Sequence, residues 1–480
     1  KALAAAGRLL EGEFRPGGSG REWCDPDVLQ TIRRRSLAKL RKEVEPVDPP
    51  VLARLVTSWQ GLVKPRVGLD ALLDVIETLQ GAPLPASILE SEILTARIDG
   101  YSPADLDALA AAGEVVWRGV EPIGDRDGRV ALYLTDHLPR LWRTPSVAVE
   151  PSEREEALMT HLARQGASFF AALHEAAGGG YPGETVDAIW DLVWKGLVTN
   201  DTFHALRAFT RAPGRLPRKK ARQAGSAFRS RRAAPPSAEG RWSRLVDRAA
   251  ARVSDTQWAT ATAQQLLARY GIVTREIAGA EGIAGGFGAV YDILKALEDQ
   301  GRVRRGYFVG GVGATQFALP AALELLRSLR EAPETPEVLT IAATDPANPY
   351  GTTLKWPAFA KATAGQGAEP ESGRAPTRTV GAMVVLVNGA LAAYLPRGGR
   401  QLSVYLPEDE PARSTSARAL ARMLAAIAGD ERRGGLLVSE INGGDPAHHP
   451  MAPFLIEAGF HPSALGFQRL RPRQESHAGR

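Results

Sequence analysis

The chain has 480 residues, 44% of them hydrophobic and 24% charged, a formal net charge of +5 and one cysteine. That length is too great for one core and implies two to four domains. The lone Cys24 excludes an internal disulfide and a cysteine zinc cluster and fits a cytoplasmic protein, and no apolar run reaches membrane-spanning length.

The chain opens on Lys1 in mid-pattern and shows no signal peptide, so it is expected to be a piece of a longer protein. Residues 1–47 read as the tail of a preceding module plus a basic helix. Helix Lys1–Ala6 ends at Gly7, strand Arg8–Phe14 follows, Pro16-Gly17-Gly18 turns the chain into Arg21–Cys24, and a helix over Val28–Val44 carries IRRRSLAKLRKE.

A winged helix is expected over 48–147. Its helices fit Val51–Trp59, Gly68–Leu79, Pro85–Leu94 and Ser102–Ala112, and its wing strands fit Glu114–Gly119 and Arg129–Thr135. A second is expected over 148–210. Ser152 and Glu155 form a capping box for helix Ser152–Arg164, followed by Ser168–Ala177 and Glu184–Lys195. Trp190 and Trp194, four apart, read as core or module interface, and their face is the place to look for a contact between copies.

The segment 211–244 reads as a basic flexible linker. It holds 11 of the 59 Lys and Arg but only one of the 54 acids, Glu239, so the rest of the chain is net acidic. Its Pro, Gly and Ser content suits an exposed tether, and its charge suits phosphate contact through counterion release.

The clearest pattern lies in the third winged helix, over 245–332. Ala263, Leu266, Leu267 and Tyr270 share a helical face that Gly271 ends, and Thr274 caps a short helix to Ala280. A third helix fits Phe287–Asp299, followed by wing strands Arg302–Val309 and Thr315–Leu319. The third helix of such a unit commonly enters a DNA major groove, and equally often the unit serves only as a protein–protein module.

One signature recurs: Leu, three residues, Gly, one residue, an aliphatic. It appears from Leu3, Leu109, Leu192 and Leu297, with Gly7, Gly113, Gly196 and Gly301. Leu faces the core in the last helical turn, Gly takes the left-handed position after it, and the aliphatic starts a wing strand.

From 333 to 480 strand-like runs dominate: Val338–Ala342, Thr379–Val387, Ala390–Leu395, Gln401–Tyr405 and Gly435–Ile441. Asn388-Gly389 forms a hairpin turn, 361–378 a loop, and Ser414–Ala428 a helix. The expected fold class is α+β: tandem winged helices followed by a small β-barrel-like module with covering helices.

GEFRPGGSGREWCDPDVLQTIRRRSLAKLRKEVEPV, LQGAPLPASILE, the glycine-rich winged helix, ATDPANPYG and VNGALAAYLPRGGR together resemble the large helicase-related protein (Lhr) family of bacterial repair helicases. The resemblance spans nearly the whole chain. It implies a separate motor of two RecA-like domains that hydrolyses ATP with Mg and moves 3′ to 5′ on single-stranded DNA. It also implies a C-terminal region like the AlkZ/YcaQ DNA glycosylases, which assembles tetramers and to which uracil-DNA glycosylase activity is attributed. On that resemblance the chain's partners are single-stranded or forked DNA and further copies of itself.

The residues carry part of this. No GxxxxGK[ST] loop and no DExH box is present, so the motor and its ATP and Mg are not expected in this chain. No cofactor and no metal is assigned; Asp445, His448 and His449 read as a solvated loop. Base excision needs a carboxylate near the flipped nucleotide's sugar. Asp345 is the candidate, with Asn348 and Tyr350 as DNA-contacting neighbours, and a turn-capping role for Asp345 is the other reading. Gln264-Gln265 does not match the glutamine-rich signature of the AlkZ group. Phosphate contacts are expected from Arg218, Lys219, Lys220 and Arg222 in the basic segment and from Arg302, Arg304 and Arg305 in the third wing.

Overall fold

The structure is a computed structural model that describes residues 9–14, 21–32, 35, 45–143, 151–211, 234–248, 253–357, 375–430 and 435–470. At the N-terminal end Leu10–Gly12 pairs with Glu22–Cys24 in an antiparallel ribbon. Residues 26–32 are helical, and most of the expected basic helix lies outside the described residues.

Three winged helices follow. The first has helices Pro49–Trp59, Leu69–Leu79 and Pro103–Ala111, and a three-stranded sheet in the order Leu84–Pro85, Gly128–Leu134, Val115–Pro122. The helix expected at Pro85–Leu94 is a short turn, Ala86–Ile88, that continues as a π-helix over Leu89–Leu94. In the third, helices Asp255–Tyr270, Arg275–Ala280 and Gly288–Asp299 carry a sheet ordered Arg304–Gly306, Gln316–Ala318, Ile272–Val273. Thr274 caps as expected, its hydroxyl accepting from the Ile277 amide at 3.3 Å.

The second winged helix corrects the expected boundaries. Helices Glu153–Gln165, Phe170–Ala176 and Pro182–Trp194 lead into strand Val198–Asn200. Its pairing partner is Arg241–Arg244, which also pairs with Ser168–Phe169. The basic segment is therefore not a linker between modules over 211–244. It is an insertion within the second wing, and from 234 the chain runs through Pro236–Ala238 into the returning strand. The expected boundary overlooked the strand because Trp242 and Ser243 stand alone among charged and small residues.

The repeated signature has one geometric cause. Gly113, Gly196 and Gly301 have φ of 80°, 68° and 74°. In each case the amide after the glycine donates to the carbonyl of the signature leucine: Glu114 to Leu109 at 3.0 Å, Leu197 to Leu192 at 3.0 Å and Arg302 to Leu297 at 2.9 Å. The glycine amides donate to Ala110, Val193 and Glu298. This pair of bonds is the Schellman helix ending, which satisfies orphan carbonyls and needs a left-handed residue at its apex. The aliphatics that follow, Val115, Val198 and Val303, are all buried. The fourth match, at Leu3, lies outside the described residues.

The C-terminal module is open rather than closed. Val338–Ala342, Met383–Val387, Ala390–Leu395 and Gln401–Val404 form an antiparallel meander, and Glu440–Ile441 adds in parallel at its edge. Alternation splits the sheet between two cores. Val384, Leu386 and Leu391 face the third winged helix, whereas Val385, Val387 and Ala393 face helix Ala412–Gly429. A second sheet, ordered Gly435–Val438, Gly466–Leu470, His461–Ser463, lies beyond that helix.

Packing cuts across sequence order. Val51, Leu52, Leu55 and Val56 of the first winged helix are buried with Leu266, Leu294 and Leu323 and with Leu391 of the C-terminal sheet. Trp59 Nε1 donates to the Ala268 carbonyl at 2.7 Å, and Arg54 Nη1 to the Glu331 carbonyl at 2.8 Å. The rest of the first winged helix shares a core with the second, centred on Trp117, Trp190, Phe203 and Trp242. The Trp117 and Trp190 rings stack at 6.3 Å, and Trp242 meets Trp190 edge-on at 5.8 Å. The Trp190/Trp194 face is thus an internal module interface and not a surface for another copy: Trp190 is buried, and Trp194 lies against Gly128.

Candidate functional site at the junction of three units

The helix Pro49–Trp59, the third winged helix and the loop 344–353 of the C-terminal module meet around a buried polar seam. Arg97 grips Asp345 with both terminal nitrogens, Nη1 to Oδ2 at 2.8 Å and Nη2 to Oδ1 at 2.7 Å. Nη2 also donates to Gln60 Oε1 at 2.7 Å, and Gln60 Nε2 donates to the Arg269 carbonyl at 3.1 Å. Asp345 Oδ1 further accepts from the Ala347 amide at 2.7 Å, which caps the turn. Both charged side chains are 1% exposed.

This placement corrects the expected chemistry of the Asp-Pro cluster. Asp345, Asn348 and Tyr350 do come together, but they face inward. Asn348 Nδ2 donates to the Ala343 carbonyl at 2.9 Å, and the Tyr350 hydroxyl donates to the Gly389 carbonyl at 2.9 Å. Burial pushes the Tyr350 phenol up to about 12. With both oxygens held by a buried arginine and one also accepting from the Ala347 amide, Asp345 serves in this structure as a turn cap and ion-pair partner, the other of the two readings of the sequence. Asn348 and Tyr350 are likewise buried, with their polar groups turned to the backbone.

Beside the seam lies a cleft of about 260 Å³. Its walls include Leu52 and Val56 from the first helix, Tyr270, Ile277 and Glu281 from the third winged helix, and Thr344, Thr353 and Arg378 from the C-terminal module; Arg129 reaches in from the first wing. Glu281 is paired with Arg269 and accepts from the Tyr270 hydroxyl at 2.5 Å. Burial raises the Tyr270 phenol well above its ordinary value, and the Glu281 charge adds to this. Arg378 differs from its neighbours. It donates to the carbonyls of Asn348 at 2.7 Å, Asp345 at 3.0 Å and Tyr350 at 3.1 Å. Burial lowers its pKa against the opposing pull of Tyr270 and Asp345. Arg97, Gln60 and Arg378 were not found from sequence, because Arg97 and Asp345 are 248 positions apart and nothing in either local pattern marks the other.

The wing and helix surfaces are less favourable to phosphate than expected. Arg302 is exposed and Arg304 half-buried, whereas Arg305 is held by Glu298 at 3.1 Å and lies 3.4 Å from the Tyr291 hydroxyl. The solvent face of helix Pro182–Trp194 presents Glu184, Asp187 and Asp191, and that of Gly288–Asp299 presents Asp292, Lys295 and Asp299. Acidic faces oppose entry into a groove lined by phosphates. Arg218, Lys219, Lys220 and Arg222 lie outside the described residues. Asp445 lies 3.3 Å from His448, and among the described residues no group of three His, Cys, Asp or Glu side chains is placed to hold a metal ion. Among them, too, no helix is long and apolar enough to cross a membrane.

Three helices, a Schellman ending and a two-stranded wing, repeated three times over shared cores, define a tandem winged-helix protein. Family models described as large helicase-related protein, winged-helix domain, match residues 47–135 and 252–338. The chain is 40% identical over 456 residues to "Lhr helicase/ probable uracil glycosylase" of Mycolicibacterium smegmatis, covering 92% of this chain and 29% of that protein. It is 34% identical over 481 residues to "Lhr helicase/uracil glycosylase" of Escherichia coli, covering 92% of this chain and 30% of that one. The chain belongs to the large helicase-related protein family, and it spans under a third of the length of these relatives. Among solved structures, Streptomyces sahachiroi DNA glycosylase AlkZ is similar with a TM-score of 0.46 and 14% identity, over 82% of this chain and all of that one.

Proposed function

We propose that this chain is the DNA-holding and assembly region of an ATP-dependent 3′–5′ DNA repair helicase, whose motor lies elsewhere in the protein. The observation that carries this reading is the 40% identity to a relative named an Lhr helicase, sustained across 92% of the chain. The physical features agree. A strongly basic insertion springs from the second wing, while the third-helix faces are acidic. DNA is therefore held by the insertion, by Arg302 and Arg304 and by the central cleft, with the third helices kept out of the groove. Single-stranded or forked DNA suits this arrangement better than a duplex read by helices in its major groove. Self-association to a tetramer belongs to the same proposal. Binding of labelled single-stranded, forked and duplex DNA across a salt series tests it; equal affinity for all three at every salt concentration overturns the strand preference.

The names of both relatives also favour a second reading, a uracil-DNA glycosylase. The pairing of its buried carboxylate with Arg97 argues against Asp345 as the acid. Incubation of the chain with uracil-containing single-stranded DNA, followed by alkaline cleavage, decides it. Glu440 and Asp445 are the next acids to test, and strand breaks that persist in Glu440→Gln and Asp445→Asn variants would exclude them.

A further inference from the structure

Among the described residues, Arg378 is a cation with no carboxylate of its own. Its neighbours Arg97 and Arg269 are matched by Asp345 and Glu281 respectively. Arg378 donates to backbone carbonyl oxygens, those of Asn348, Tyr350 and Asp345. Arg129, the other arginine on the cleft, is matched by Glu121 at 2.9 Å. The described charges lining and backing the cleft thus leave one guanidinium over.

A second observation points the same way. The Thr344 hydroxyl on the cleft wall is shut off from solvent and has no hydrogen-bond partner among the described residues. A buried hydroxyl without a partner costs free energy unless a ligand or water meets it. A surplus guanidinium beside an unmet hydroxyl, in a cleft with apolar walls from Leu52, Val56 and Ile277, suits a tetrahedral oxyanion. Arginine binds phosphate through a fixed fork of donors, and the low local dielectric strengthens the contact.

We propose that the cleft between the first helix, the third winged helix and the loop 344–353 is a phosphate-binding site, with Arg378 as its cation and Thr344 as its hydrogen-bonding hydroxyl. Its occupant is a backbone phosphodiester of a nucleic-acid strand, and in this the inference rests on the DNA-holding function proposed above. The strand's sugar and base then lie against the apolar wall. Glu281 does not repel the anion, because Arg269 neutralises it.

The test uses the whole chain. Single-stranded DNA affinity is measured against salt for the unaltered protein, Arg378→Gln, Arg378→Lys and Thr344→Val, and inorganic phosphate is titrated into each while thermal stability is followed. Arg378→Gln is expected to weaken DNA binding roughly tenfold and to reduce the log–log salt slope by about one. Arg378→Lys should restore the slope but only part of the affinity, and Thr344→Val should weaken binding several-fold with the slope intact. Thr344→Val removes only the hydroxyl, so it tests the site even if the arginine variants fold poorly. DNA binding that is unchanged in Thr344→Val and in folded Arg378 variants, with no stabilisation by phosphate, overturns the site and leaves the DNA-holding function standing. Stabilisation by phosphate that is lost in Arg378→Gln, in a protein that binds no DNA, upholds the oxyanion site, assigns it to free phosphate and overturns the DNA-holding function.

Discussion

At the residue scale, the Asp-Pro segment is where sequence came nearest to the site. Thr344 to Tyr350 was legible as a cluster and as a turn, and both are present. What could not be read was its direction, since the arginine that turns Asp345 inward lies in another module. Breaking a buried pair from one side leaves the other charge stranded, at a cost of about 3–5 kcal/mol, whereas replacing both partners with apolar groups is often nearly neutral. Asp345→Asn should therefore lower the urea midpoint sharply, and Arg97→Met with Asp345→Leu should regain much of that stability. An unchanged midpoint in Asp345→Asn would show that the pair contributes little. Glu155 offers a test by pH. Burial alone would raise its pKa, but hydrogen bonds from Lys195 at 2.5 Å and from the Ser152 amide at 2.7 Å outweigh burial and hold it below the ordinary glutamate range. The folded pKa then lies below the unfolded one, so the stabilisation is present above the unfolded pKa and disappears as pH falls through the folded value. Melting of the unaltered chain and of Glu155→Gln should differ at neutral pH and converge in acid; a constant gap would refute the assignment.

Among the elements, helix endings were the most readable feature, because the Schellman geometry demands a glycine and a leucine at fixed spacing. The returning strand Arg241–Arg244 was the least readable, because its partner is separated from it by the basic insertion. Glycines separate two kinds of constraint. Gly301 (φ 74°) has open space around a would-be Cβ, whereas at Gly389 (φ 79°) a Cβ would lie 2.1 Å from the Pro50 carbonyl oxygen. Gly301→Ala should cost about 1 kcal/mol, the left-handed strain alone. Gly389→Ala should cost several times more, because it also forces the Asn388-Gly389 hairpin away from the first helix. Equal denaturation midpoints for the two variants would deny that close approach. The insertion has its own test. Neutralising Arg218, Lys219, Lys220 and Arg222 should flatten the log–log salt dependence of DNA binding by up to about four units, roughly one for each phosphate left without its cation, and should weaken binding about equally across sequences. An unchanged slope would reduce the segment to a tether.

For the whole molecule, the order of modules was legible and their pairing was not. Repeats announce themselves along the chain, but the choice of which faces meet depends on apolar stripes that look alike in every module. Mass by light scattering at micromolar concentration should be about four times the 51.4 kDa of one chain if the region assembles unaided; a single-chain mass would move assembly to another part of the protein. The Trp190/Trp194 face is already taken up inside the chain, so any such association uses another surface.

The displaced first helix has a consequence during synthesis. Pro49–Trp59 is made early, yet its apolar face fits against Leu266, Leu323 and Leu391, which are made late. At about 5–20 residues per second, the wait is on the order of tens of seconds. Through that interval Val51, Leu55 and Val56 have no native cover, while the remainder of the first winged helix can already close on the second. The first helix of the first winged helix therefore settles only after the C-terminal sheet has been made, and that exposed stretch is where a chaperone has the most to hold.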